Sequence, residues 1–142
     1  MLAQAAQDCQ RRTGIPASLT LAQAALESSW GAKAPGNNLF GIKAGSSWKG
    51  PTVTFQTHEH LDGKEVAMAD RFRAYPSWLD SMLDHANLLL TDHYAACRKE
   101  TTCAGWARAI AAAGYATDPD YAKKLLDIMT ARNLAFYDQV HP

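Results

Sequence analysis

The chain is 142 residues long, 47% apolar and 20% charged, the proportions of one globular domain with a real core and no room for a second fold. Lys plus Arg number 14 and Asp plus Glu number 14, so the net charge is zero and the basic excess of a nucleic-acid binder is missing. No apolar run approaches the roughly 20 residues that span a bilayer, and the stretch MLAQAAQDCQRR is too polar for the apolar region of a signal peptide.

Residues 2–12 predict a short helix ended by Thr13-Gly14. A second follows Ile15, with Pro16 suited to its first turn and Leu19, Ala22, Leu26 and Trp30 at helical spacing, and Gly31 placed just past its end. The stretch from Gly31 to Gly50, rich in glycine, asparagine, serine and lysine, reads as irregular. Thr52 to Thr57 alternates as a half-buried strand, Asp62-Gly63 signals a hairpin turn, and Val66 to Phe72 can return, which places a β-lobe of two or three strands at about 50–75. Helical spacing resumes after Tyr75-Pro76: Ser77 is the expected cap, and Trp78, Leu79, Met82, Leu83, Ala86, Leu89 and Leu90 share one apolar face. Another helix is expected from about Thr102 to Ala113, stopped by Gly114. A last one is expected from Asp118-Pro119, turning Tyr121, Leu125, Ile128 and Met129 inward. With no repeat or linker, the reading is a single α+β domain, mainly helical, with a small antiparallel sheet.

The cysteines, Cys9, Cys97 and Cys103, are odd in number and lack CxxC spacing, which argues against structural zinc. Cys97 and Cys103 are near enough in sequence for a small disulfide loop, with reduced thiols the favoured state. His58-Glu59-His60, with His85 and His93, raises a metal site, but on a strand His58 and His60 form only a two-ligand face, so no metal or cofactor is expected.

The acids are more informative. From Cys9 to His58 the only carboxylate is Glu27, against Arg11, Arg12, Lys33, Lys43 and Lys49. Glu27 falls near the C-terminal end of its helix, where the dipole disfavours negative charge, and Leu26 and Trp30 are positioned to desolvate it. Both effects raise its pKa, and a carboxylic acid that stays protonated near neutrality suits glycosidic-bond cleavage, whose leaving oxygen must receive a proton. The bland alternative is an exposed surface glutamate.

Four motifs carry a resemblance. Leu21-Ala22-Gln23-Ala24-Ala25-Leu26-Glu27-Ser28-Ser29-Trp30-Gly31 resembles the catalytic-glutamate helix of the flagellar-type glucosaminidases, glycoside hydrolase family 73. Asn37-Asn38-Leu39-Phe40-Gly41-Ile42-Lys43, Phe72-Arg73-Ala74-Tyr75-Pro76-Ser77 and Ala113-Gly114-Tyr115-Ala116-Thr117-Asp118-Pro119-Asp120-Tyr121-Ala122 follow in the family's order. The resemblance implies a lysozyme-like fold, a helical lobe and a β-lobe with a cleft between them. It also implies cleavage of bacterial peptidoglycan after N-acetylglucosamine. Glu27 matches the general acid. The family's second carboxylate lies in a Thr-Thr-Glu-Tyr type of segment, matched here by Thr57-His58-Glu59-His60, so Glu59 is the candidate, with Asp62 and Glu65 as competitors. Continued alternation puts Glu59 and Thr57 on one side of the strand. The sequence departs from the family in a short Lys43–Glu59 stretch and in the histidines beside Glu59. Tyr115 corresponds to the tyrosine expected to position substrate or water.

Sugar binding needs flat apolar faces and amide partners, which makes Trp30, Phe40, Trp48, Asn37 and Asn38 candidates, with core packing the alternative for Trp30 and Phe40. Tyr75 and Tyr121, from the third and fourth motifs, are further candidates for substrate contact, while Trp78 and Trp106 read as core. The implied partner is the peptidoglycan glycan strand, met by a monomer with an open cleft, in the periplasm or outside the cell. No export signal is legible, so delivery by a holin, a secretion system or a segment outside this sequence is expected. Rival readings are a lytic transglycosylase or muramidase of the same superfamily, and a wall-binding module without catalysis.

Overall fold

The computed structural model describes residues 2–140, apart from the side chains of residues 57–61. Helices α1 (Leu2–Thr13) and α2 (Ala17–Ser28) precede a two-stranded ribbon of β1 (Thr52–Leu61) and β2 (Lys64–Arg73). Then follow α3 (Trp78–Leu89), α4 (Cys103–Ala112) and α5 (Tyr121–Ala131), and a 3₁₀ turn at Leu134–Asp138. The core lies among the helices and around α2, nine of whose 12 residues are buried. Helices α1, α4 and α5 and the Leu134–Asp138 turn all pack on α2.

Local signals set several boundaries. Ser77 accepts the backbone N–H of Asp80 and starts α3, and Thr102 accepts that of Gly105 and starts α4. Asp62 and Gly63, at φ 52° and 74°, form the two-residue turn that the right-handed twist of a hairpin favours. The pairing is antiparallel throughout, Val53 opposite Phe72, Phe55 opposite Asp70 and Glu59 opposite Val66. Both strands are longer than the alternation alone indicates, and among the described residues one isolated bridge, Lys43 to Phe72, adds to the ribbon.

Two boundaries differ from expectation. Pro16 precedes α2 as its capping residue, and the helix ends at Ser28 because Ser29, two residues before Gly31, already takes the left-handed conformation. Trp30 (φ 61°) and Gly31 (φ 87°) continue that turn, so Trp30 lies outside the helix. Gly31 is required there on a second count: a Cβ would lie 2.9 Å from the Trp78 ring. Helix α5 begins at Tyr121 with Asp120 as cap, because the Asp118 carboxylate accepts the Asp120 N–H and holds Asp118–Asp120 as a turn.

The N-terminus of α2 has no cap from its own sequence neighbours. Asp138 fills the role from 120 residues away, its carboxylate accepting the Ser18 N–H at 2.7 Å and the Ser18 hydroxyl at 2.6 Å. Gln10 Oε1 accepts the Ala17 N–H at 2.8 Å. A carboxylate at this end also complements the helix dipole. All three cysteines are free thiols. Among the described residues no helix is long and apolar enough to cross a membrane.

Candidate active site

Glu27, the penultimate residue of α2, opens into a hollow of about 500 Å³ between the helices and the ribbon. Lys33, Pro35, Asn38, Gly41, Phe55 and Phe72 complete the lining. Phe55 and Phe72 are diagonal neighbours on the ribbon, with rings stacked at 4.2 Å and an interplanar angle of 8°. They give the wall opposite the acid a flat apolar face. Glu27 is exposed to the hollow, and the partial desolvation of its carboxyl by the surrounding protein raises its pKa, while a hydrogen bond from the Tyr121 hydroxyl, 3.4 Å from Oε1, opposes that rise.

Behind Glu27 stands a packed aromatic group. Tyr115 and Tyr121 stack at 5.7 Å, and Tyr115 meets His85 edge to face. Burial pushes the Tyr115 phenol well above its ordinary range, with the charges of neighbouring Tyr121 and Glu27 adding to the rise, so it stays protonated. Gln23, wholly buried on α2, donates to the Tyr121 oxygen at 2.9 Å. His85, also wholly buried, is 2.8 Å from Gln23 Oε1 and stacks on Phe40 at 4.0 Å.

The structure brings Glu27, Tyr115 and Tyr121 together and places most of the expected sugar contacts elsewhere. Asn38 lines the hollow, but its amide is taken up by structure: Nδ2 donates to the carbonyls of Ile42 and Arg73, and Oδ1 accepts the Ile42 N–H. Asn37 donates to the Tyr75 carbonyl. Phe40 is core, 4% exposed. Trp30 faces away from the acid's hollow, against Leu2, Leu21 and Leu134, with the Arg132 guanidinium 5.6 Å over its ring. Trp48 and Tyr75 share a separate hollow with Asp84. There Trp48 Nε1 donates to the Pro51 carbonyl, Arg73 lies 4.7 Å over the indole, and the Tyr75 hydroxyl donates to Asp84. Trp106 is buried and Trp78 partly so.

The side chain of Glu59 lies outside the described residues, as do those of His58 and His60. Asp62 sits in the hairpin turn, and Glu65 pairs with His60 on the ribbon. Asp70, opposite Phe55, is bridged by Lys43 at 3.3 Å. His85 and His93 are bonded to Gln23 and to the Ala113 carbonyl, and no three candidate ligands converge among the described residues. Sequence reasoning did not single out Phe55 and Phe72 as a platform. The signal was there: Phe55 alternates with Val53, whose register partner is Phe72.

Residues 3–134 match the glucosaminidase family, described as mannosyl-glycoprotein endo-beta-N-acetylglucosaminidase. The chain belongs to the glucosaminidase family. It is 40% identical over 132 residues to peptidoglycan hydrolase FlgJ of Escherichia coli K12, covering 87% of this chain and 42% of that protein. Exo-glucosaminidase LytG of Bacillus subtilis is 42% identical over 134 residues, covering 88% of this chain and 47% of LytG. The chain thus spans less than half the length of these relatives. The C-terminally truncated glycoside hydrolase domain of Salmonella typhimurium FlgJ superposes with a TM-score of 0.80 at 38% identity, covering 93% of each chain. The chain thus has the expected lysozyme-like fold of that glycoside hydrolase domain, with five α-helices and a two-stranded β-lobe among the described residues.

Proposed function

We propose that this domain hydrolyses peptidoglycan glycan strands at the bond after N-acetylglucosamine, with Glu27 as general acid. The observation that carries the reading is a carboxyl with a raised pKa, facing a stacked Phe55–Phe72 wall across an open hollow. A pyranose ring presents apolar faces that suit the aromatic wall, and Lys33 on the same lining offers a cation to lactyl or peptide carboxylates. Glu27 gives its proton to the glycosidic oxygen as the C–O bond breaks, and water adds at the anomeric carbon. Glu59, ionised, activates that water or stabilises the oxocarbenium-like transition state. Tyr115, a neutral phenol beside Glu27, positions substrate or water. The hollow lies within one chain, so a monomer suffices. Its place of action is the periplasm or the outside of the cell, where the glycan strands are.

Purified peptidoglycan is digested with wild type and with Glu27→Gln, reduced with borohydride, and the products weighed by mass spectrometry. Reduced N-acetylglucosamine ends from wild type, with at least about a 100-fold loss in Glu27→Gln, are expected. Anhydromuramyl ends would make the domain a transglycosylase, reduced muramic ends a muramidase, and no new ends a binding module.

A further inference from the structure

Three side chains behind Glu27 form a continuous buried chain that the reaction scheme above does not use. His85 Nε2 lies 2.8 Å from Gln23 Oε1, Gln23 Nε2 lies 2.9 Å from the Tyr121 oxygen, and that oxygen lies 3.4 Å from Glu27 Oε1. Each link has a donor and an acceptor, so the chain runs in one of two directions, and the end member decides which. We infer that His85, as the Nε2–H tautomer, drives the chain toward Glu27 and thereby fixes the transferable proton of Glu27 on Oε2. The inference rests on Glu27 being the general acid.

The donors decide the direction. With a proton on Nε2, His85 donates to Gln23 Oε1. The Gln23 amide then donates to a lone pair of the Tyr121 oxygen, and the Tyr121 proton is directed at Glu27 Oε1. That oxygen becomes an acceptor in both charge states of Glu27, which leaves Oε2 to carry the proton into the cleft. The reverse direction needs a bare Nε2 and a proton on Nδ1, with the Gln23 amide turned over and the Tyr121 proton spent on Gln23. Glu27 would then have to donate to Tyr121, and its proton would point into the protein. His85 Nδ1 is buried with no hydrogen-bond partner, so the reverse direction also leaves an unpaired N–H in the core. Stacking on Phe40 and the edge of Tyr115 hold the ring in place. Burial lowers the His85 pKa to about 3, so the imidazole stays neutral through the working range and the chain does not reverse.

In this arrangement His85 and Gln23 are positioning residues. Of the titratable groups around Glu27, Tyr121 on α5 hydrogen-bonds it, Tyr115 before it is coupled to its charge, and Lys33 shares the cleft lining. The Tyr121 donor favours the carboxylate, so weakening it raises the Glu27 pKa and makes a poorer acid. His85→Phe keeps a ring over Phe40 but removes the donor. Its alkaline limb of kcat against pH is expected to move to higher pH and kcat to fall about tenfold, with KM unchanged. His85→Gln, which can donate to Gln23 again, is expected to bring the limb back toward wild type. A folded His85→Phe protein with an unmoved limb would overturn the inference. The tautomer is read directly by nitrogen NMR of histidine-labelled protein, with His85 assigned by loss of its signal in the variant. A protonated Nε2 and bare Nδ1, constant from pH 8 to pH 5, is expected (about two units above the His85 pKa at the lower end). A protonated Nδ1 overturns the inference. Should His85→Phe fail to fold, assignment by elimination through variants of His58, His60, His93 and His141, the other four histidines of the chain, leaves the NMR reading intact. If Glu27→Gln retains activity, the catalytic reading fails, while the tautomer still decides the direction of the chain.

Discussion

The two walls of the cleft are built on opposite terms. The Glu27 wall is the middle of the core: α2 is buried for most of its length, capped by Asp138, and backed by Gln23, Tyr121 and Tyr115. The ribbon wall is two strands paired to each other, and in β2 only Phe72, 6% exposed, is buried. The first wall presents one carboxyl, exposed to the hollow, with the Tyr121 hydroxyl at one of its oxygens. The second offers a platform at its base, and Glu59 lies four residues, about 13 Å, further along β1 than Phe55. Proton donation needs a pre-set direction, whereas a polymer has to enter and leave, and the sequence divides these tasks between the lobes.

The contrast can be broken at several points. Glu59→Gln should lower kcat about 100-fold with the thermal transition unchanged, and Asp70→Asn should change kcat by less than about threefold. The reverse order in steady-state assays would move the second carboxylate onto β2. On the helical side, Asp138→Ala should lower unfolding stability by about 2 kcal/mol in urea titrations, since it removes two hydrogen bonds to a charged cap. Its kcat per folded molecule should hold. A stability change below about 0.5 kcal/mol would show that α2 needs no cap from the far end. Smallest is the platform: Phe55→Ala should raise KM for glycan fragments by roughly tenfold, with kcat nearly constant. A fall in kcat instead would mean that the ribbon also shapes the transition state.

Much of the fold was legible because the signals were local. Ser77 and Thr102 cap helices from within their own neighbourhoods, and Asp62-Gly63 marks the turn by its conformational demand. What was not legible depends on distant or three-dimensional facts. Nothing near Pro16 indicates that Asp138 will cap its helix, and nothing in Glu27-Ser28-Ser29 announces that Ser29 turns left-handed and throws Trp30 off the helical face. Asn38 looked like a sugar partner because exposed asparagines make good ones, yet its amide is spent holding the loop to β2. Trp48 and Tyr75 are aromatic residues close to the cleft in sequence, but they pack on each other, Trp48 under Arg73 and Tyr75 bonded to Asp84, partners that periodicity does not supply. His85 invited a metal reading; its bond to Gln23 emerges only when α2 and α3 come together.

The cap on α2 has a consequence in time. Ser18 and Asp138 are 120 residues apart, and the acid's helix is closed by a residue translated long after it. At typical synthesis rates that interval is on the order of ten seconds. During it the helix has neither the Asp138 carboxylate at Ser18 nor α5, which brings Tyr121 to Glu27. The acid is thus assembled last, by the arrival of the C-terminal turns, and a growing chain carries its glutamate without the surroundings that arm it.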